Sequence, residues 1–281
     1  MHKVLMLHRV LPEKLIQKPD AYSDFGTLIS VEYFENILKM LMGSGFRFLS
    51  VSELLQCSKE TDAVALTFDD GYSDCFEYAL PLLQKHQATA TFYITVGPCK
   101  DNTVLPLDMY YQCVDEAELT EKMRMNYIKG CIKKEFIWAE PEQQKALVLK
   151  YFKKYPEHNR ISFLRPDQIK MIADNGFEIG SHSMTHSLFT AGYMNEDKIL
   201  FELEQSKTFL EGTTEQPIHS FCFPSGYYNQ SAIELAKECG YTSLCLIKKN
   251  QHDEARTDLP QLFEREFVTP SYIEEVIQKS T

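Results

Sequence analysis

The chain has little of what marks several large classes of protein. Its 8 cysteines contain no C-x-x-C pair and no dense framework. That argues against a zinc ribbon or a disulfide scaffold and reads as buried thiols in a reducing compartment. No apolar run is long enough to span a bilayer, so no transmembrane segment is expected. Met1-His2-Lys3 is followed by only a four-residue apolar run before His8 and Arg9, too short for a signal peptide, and a cytoplasmic location is expected. Positive charge is also scarce, with 29 basic against 40 acidic residues and a net charge of −11. A field of that sign works against nucleic acid or anionic lipid as a partner. Lys133-Lys134 and Lys153-Lys154 are the short basic clusters of note, and both read as solvated helix faces. Internal repeats, low-complexity tracts and linkers are absent.

What is present suits a soluble enzyme with one large core: 281 residues, 44% hydrophobic and 12% aromatic. Strand and helix patterns alternate. Ser30 is placed to cap a helix with apolar positions at Val31, Phe34, Leu38 and Leu41, stopped by Gly43 and Gly45. Ala63–Phe68 reads as a buried strand, Ser73–His86 as a helix bent near Pro81, and Thr89–Val96 as a strand closed by Gly97-Pro98. Phe177–Gly180 and Ile218–Phe223 are further strands. Between the last two, Asn195 caps a helix that Gly212 is expected to end. Glu264–Val268 reads as the last strand, and Ser271 as the cap of a terminal helix. Such alternation implies a parallel sheet, here closed into an irregular barrel. The stretch 98–164 breaks the pattern. It lacks a convincing strand and carries helical spacing, so a helical insertion within a single 1–281 domain is expected. Its rings, among them Tyr110, Tyr111, Tyr127, Phe136, Trp138, Tyr151 and Phe152, suit a small core better than a sugar platform.

Two motifs carry chemistry. Thr67-Phe68-Asp69-Asp70-Gly71 follows one strand, and His182-Ser183-Met184-Thr185-His186 follows another. An Asp-Asp-Gly can be a plain turn, and paired histidines occur by chance on helices. Both motifs, however, end apolar strands, which puts their polar groups at the carboxyl edge of a sheet, where α/β barrels keep their chemistry. Two His and one Asp complete a protein ligand set for a divalent metal that keeps an open position. The second Asp is then available as a general base. A retaining glycosidase built on Asp69 and Asp70 is disfavoured, because neighbours on an extended strand point to opposite faces.

The two motifs, in this order, resemble those of the polysaccharide deacetylase family, the carbohydrate esterases built on the NodB-homology domain. The resemblance extends loosely into Phe221-Cys222-Phe223-Pro224-Ser225-Gly226. It implies an α/β fold, an irregular (β/α)7-type barrel with parallel strands. It assigns a divalent metal, Zn²⁺ by preference, to Asp70, His182 and His186, and the general base to Asp69. The backbone N–H of Ser225, after Pro224 and before Gly226, would meet the oxyanion. The implied substrate is an N-acetylated sugar, oligosaccharide or lipid-linked glycan. Two departures stand out. The family's usual Arg before the Pro is replaced by Cys222, and Arg265 is the candidate to orient Asp69 instead. The family's terminal His is missing, but Val4–Leu7 followed by His8 supplies an equivalent at the other end of the chain. This resembles a circularly permuted branch in which His8 is the general acid, kept protonated by a nearby carboxylate. Two alternatives stay open: a metallohydrolase acting on another acyl bond (ester, formamide or cyclic amide), and an inactive carbohydrate-binding homologue.

Overall fold

The computed structural model describes residues 1–157, 159–247, 262–268, 273 and 276. In chain order the strands are β1 (His2–Leu7), β2 (Arg9–Leu11), β3 (Leu28–Ser30), β4 (Arg47–Phe48), β5 (Ala63–Phe68), β6 (Thr91–Ile94), β7 (Glu178–Ser181), β8 (Ser220–Cys222), β9 (Ser243–Ile247) and β10 (Leu262–Phe267). Seven of them close a parallel barrel in the order β1-β5-β6-β7-β8-β9-β10, with β10 pairing back to β1. The closure is made at Leu5↔Glu266 and Met6↔Phe267, so Val4–Leu7 lies beside the last strand, as the sequence suggests. Short β4 adds to the start of β5, and β2 and β3 form a separate parallel pair.

Side chains on a strand alternate between its two faces. On β5 this puts Val64, Leu66 and Phe68 into the main core and Ala63 and Ala65 into a second cluster with Val4, Tyr93, Cys222 and Cys245 from four other strands. These residues are mostly small, and with Ser220 and Ser243 they leave space inside the barrel for one long side chain. Arg265 takes it, 1% exposed, with its guanidinium carbon 5.5 Å from the centre of the Tyr93 ring.

The helices preceding β6 are α1 (Ala21–Phe25), α2 (Val31–Gly43), α3 (Val51–Gln56) and α4 (Leu80–Lys85). Ser30 caps α2 by accepting from the Tyr33 N–H at 3.1 Å, and Phe34, Ile37, Leu38 and Leu41 form its buried face. The irregularity expected near Pro81 is a π-helical turn over Cys75–Ala79 that runs into α4. Between β6 and β7 come α5 (Val96–Asp101), α6 (Pro106–Glu116), α7 (Glu121–Lys129), α8 (Cys131–Trp138) and α9 (Pro141–Phe152). Gly97-Pro98 does not close β6; it lies in the first turn of α5, where Pro is well tolerated. A Cβ at Gly97 would meet the Met184 carbonyl oxygen at 2.7 Å, so glycine lets α5 press against the histidine loop. The remaining helices are α10 (Pro166–Asp174), α11 (Glu196–Thr214) and α12 (Gln230–Glu238). Asn195 caps α11, which runs past Gly212 to Thr214; a Cβ at Gly212 would meet open space, and nothing there forces a stop. The expected cap at Ser271 lies outside the described residues.

Candidate active site

Because the barrel strands are parallel and in register, the residues just after them emerge together at one edge. Leu7 pairs with Phe68, and the Asp69 N–H donates to the Leu7 carbonyl at 2.9 Å, which sets His8 level with Asp69. Across the ring the His182 N–H donates to the Ile94 carbonyl at 2.9 Å, just past β7. Backbone pairing therefore places His8, Asp69 and His182 before any side chain acts.

Asp70 has φ 72°, in the left-handed region, and this turns it out of the strand alternation. Its Oδ1 lies 3.4 Å from His182 Nε2 and 3.4 Å from His186 Nε2. That is longer than a charge-assisted hydrogen bond, yet it matches two donors about 2.1 Å from a shared tetrahedral ion, which stand roughly 3.4 Å apart. Asp70 Oδ1 is buried with no hydrogen-bond donor among the described residues. His182 Nδ1 lies 2.8 Å from the Cys222 carbonyl oxygen, which can only accept, so Nδ1 carries the proton and Nε2 presents its lone pair. Donor type, separation and tautomer all fit a divalent cation. Ser183 shapes the loop: its Oγ accepts from the His186 N–H at 3.0 Å. Ser183 and His186 are themselves left-handed, at φ 72° and 61°. Three left-handed non-glycine residues thus gather around one point.

Asp69 is held differently. Arg265 grips both its oxygens, Nη1 to Oδ1 at 2.5 Å and Nη2 to Oδ2 at 2.7 Å, and Nη1 also donates to Thr67 Oγ1 at 3.0 Å. Burial pushes the Asp69 carboxyl up, but the Arg265 charge, His182, the Arg265 hydrogen bonds and His8 together more than offset this, and the net direction is down. Cys222, in the place of the family's Arg, accepts from Arg265 Nη2 at 2.8 Å. The guanidinium therefore arrives from β10, with Cys222 as its neighbour. A second grouping of potential ligands, Asp69, His182 and Cys222, is filled by that guanidinium and is no alternative metal site.

His8 lines the same cavity, its ring parallel to Phe267 at a centroid distance of 6.2 Å, and its buried Nδ1 has no partner among the described residues. Burial lowers its pKa more than Asp70 and Asp69 raise it. A carboxylate is thus present as expected, but it does not keep the resting imidazole charged. Ser225, with φ 53° between Pro224 and Gly226, also faces the cavity.

The cavity measures about 310 Å³. Tyr22, Phe25, Tyr72, Tyr111, Lys133 and Tyr227 contribute to its walls. Lys133 corrects the sequence reading. It is not on a solvated face but 7% exposed, because α8 turns it inward, where its ammonium lies over the rings of Tyr111 and Phe25 at 4.3 and 4.5 Å. Most of the neighbouring rings do pack as a small core: Tyr110 meets Phe136 at 4.4 Å and Phe152 at 5.6 Å.

Two positioning residues escaped the sequence reading. Glu202 on α11, 4% exposed, accepts from the N–H groups of Met184 and Thr185 at 2.8 and 2.9 Å and so holds the loop between the two histidines. Its one sequence signal is an acid beside the apolar stripe Ile199, Leu203, Leu210. Asp108 on α6, fully buried, accepts from the hydroxyls of Tyr22 and Tyr72, the latter at 2.9 Å.

The profile of the polysaccharide deacetylase family matches residues 57–244, well over half of the chain. His8 and Arg265 lie outside that span. A peptidoglycan-N-acetylglucosamine deacetylase of Bacillus cereus is 32% identical over 79 residues, which is 28% of this chain and 36% of the relative. The matches span from about a third to about half of the curated relatives' own length. Among solved structures, the Streptococcus pyogenes deacetylase PplD superposes with a TM-score of 0.66 at 18% identity, covering 99% of this chain and 97% of that one. IcaB from Ammonifex degensii gives a TM-score of 0.66 at 18% identity, with 99% and 96% covered. At those identities the structures speak to the fold alone, whereas the profile match speaks to descent: the chain belongs to the polysaccharide deacetylase family.

Proposed function

We propose that the protein is a metal-dependent hydrolase that removes the N-acetyl group of an amino sugar. The observation that carries this reading is the pairing of two differently held carboxylates. Asp70 shares a point with two histidine nitrogens, and Asp69 beside it is kept anionic and oriented by Arg265. Asp70, His182 and His186 would hold the ion, with Zn²⁺ the preferred candidate for two nitrogens and one oxygen. When bound it would supply Lewis-acid polarisation of the acyl carbonyl and acidify water at neutral pH.

The chain's own residues do the rest. Asp69, ionised well into the acid range, accepts the proton from water, and the two-point grip of Arg265 keeps its oxygens in place. The backbone N–H of Ser225 would meet the developing oxyanion. His8, neutral at rest, would take up a proton from solvent as negative charge builds across the cavity and donate it to the leaving nitrogen, returning to its neutral form. The helices between β6 and β7 would form a substrate wall, with Tyr111 and Lys133 facing the cavity. The position of His8 directly after the first strand is consistent with a permuted member of the family.

The test is acetate release from N-acetylated saccharides, including lipid-linked ones, before chelation, after it, and after metal return. Loss and recovery of release is expected. Turnover indifferent to chelation, or confined to esters and formamides, would overturn this reading in favour of another acyl bond.

A further inference from the structure

We infer that the substrate carries an anionic group, a phosphate or a carboxylate, seated against Lys129, Lys133 and Lys134 while the N-acetyl group sits at Asp69 and Asp70. The inference names a substrate class for the site proposed above and rests on that reading. In a chain of net charge −11, three lysines line one wall of the catalytic cavity. They come from α7 and α8, and among the described residues none of them is ion-paired. Lys129 and Lys134 stand exposed at the rim, whereas Lys133 lies inside. A nearly buried ammonium is costly unless something answers its charge. Here it donates to the Tyr111 hydroxyl and lies over two rings, which orients it without neutralising it. Burial pulls its pKa to about 7, against the pull of Asp70 and Asp108. An anion in the cavity would give Lys133 its missing partner, and the rim lysines would draw that anion in from solution.

The experiment compares four substrates sharing one N-acetylated sugar: neutral, glycosyl phosphate, nucleotide-linked and uronate-containing. Each is assayed with wild type, Lys129→Gln/Lys134→Gln and Lys133→Met. Wild type should prefer the anionic substrates over the neutral one by about tenfold or more in kcat/KM. The rim pair, whose side chains are exposed and do not endanger folding, should reduce that preference ratio several-fold and flatten its dependence on salt. A larger response to the phosphates than to the uronate identifies phosphate as the anion, and the reverse identifies carboxylate. Calorimetric binding of the glycosyl phosphate is measured in parallel, so that loss of binding in Lys133→Met supports the inference even if no substrate releases acetate. Equal kcat/KM for neutral and anionic substrates, or a preference ratio untouched in both variants, would overturn it.

Discussion

The carboxyl edge of the barrel and the helical stretch from α5 to α9 both face one cavity, but they place their side chains by different means. At the edge, backbone pairing does it: Asp69 is hydrogen-bonded to the residue before His8, and His182 to the end of β6. In the helical stretch, side-chain packing does it. Lys133 is set by Tyr111 and Phe25, and Asp108 by tyrosines from α1 and from the loop after β5. The first kind of placement is stiff and suits bond-making chemistry. The second can vary with little cost to the barrel and suits substrate choice. Substitutions at the edge should therefore cost rate, and substitutions in the helices should cost fit or stability.

The largest effect is expected at the histidines. His182→Ala/His186→Ala should remove metal and acetate release together, and full metal occupancy in that variant would break the assignment. Arg265→Met comes next. It leaves Asp69 buried without its counter-charge, so a stability loss of about 3–5 kcal/mol is expected in denaturant unfolding. A loss under about 1 kcal/mol would mean that the clamp is dispensable. The folded pKa of Asp69 is depressed, so the stability from this pair is present above the unfolded value of about 3.9 and fades as pH falls through the folded one. The cost of Arg265→Met should accordingly shrink in acid.

His8→Ala should slow amide substrates by roughly 10²-fold or more while sparing an activated aryl ester, whose leaving group needs little protonation. Equal losses on both would assign His8 to binding instead. The smallest effect is expected at Asp108. Burial raises its pKa to about 7. The folded chain thus keeps that proton to higher pH than the unfolded chain does, and stability declines as pH rises from about 4 through 7. Asp108→Asn should flatten that decline in Tm, and an unchanged slope would remove Asp108 as its source.

Much of the edge was legible in the sequence because its signals are local. An apolar strand followed at once by His8, by Asp69-Asp70 or by His182 can be read from a few adjacent residues. Arg265 was legible only as a substitute for a missing Arg, since its partner lies 196 positions away. Glu202, Asp108 and Lys133 were illegible or misread because their roles exist only after distant elements pack. Lys133 shows this most clearly: Lys133-Lys134 looks like any solvated pair, and only the rotation of α8 sends one lysine inward and the other out. Gly97-Pro98 misled for a related reason. The dipeptide reads as a strand terminator, but here it lies in the first turn of a helix whose tight fit against Met184 needs the glycine.

The central claim is that two adjacent aspartates divide the work, Asp70 holding the ion and Asp69 moving the proton. Bound metal and acetate release measured side by side in wild type and Asp69→Asn test it most directly. The account predicts that Asp69→Asn keeps its metal while losing roughly 10²–10⁴ in rate. Loss of the metal from Asp69→Asn, or turnover near the wild-type rate, would contradict it.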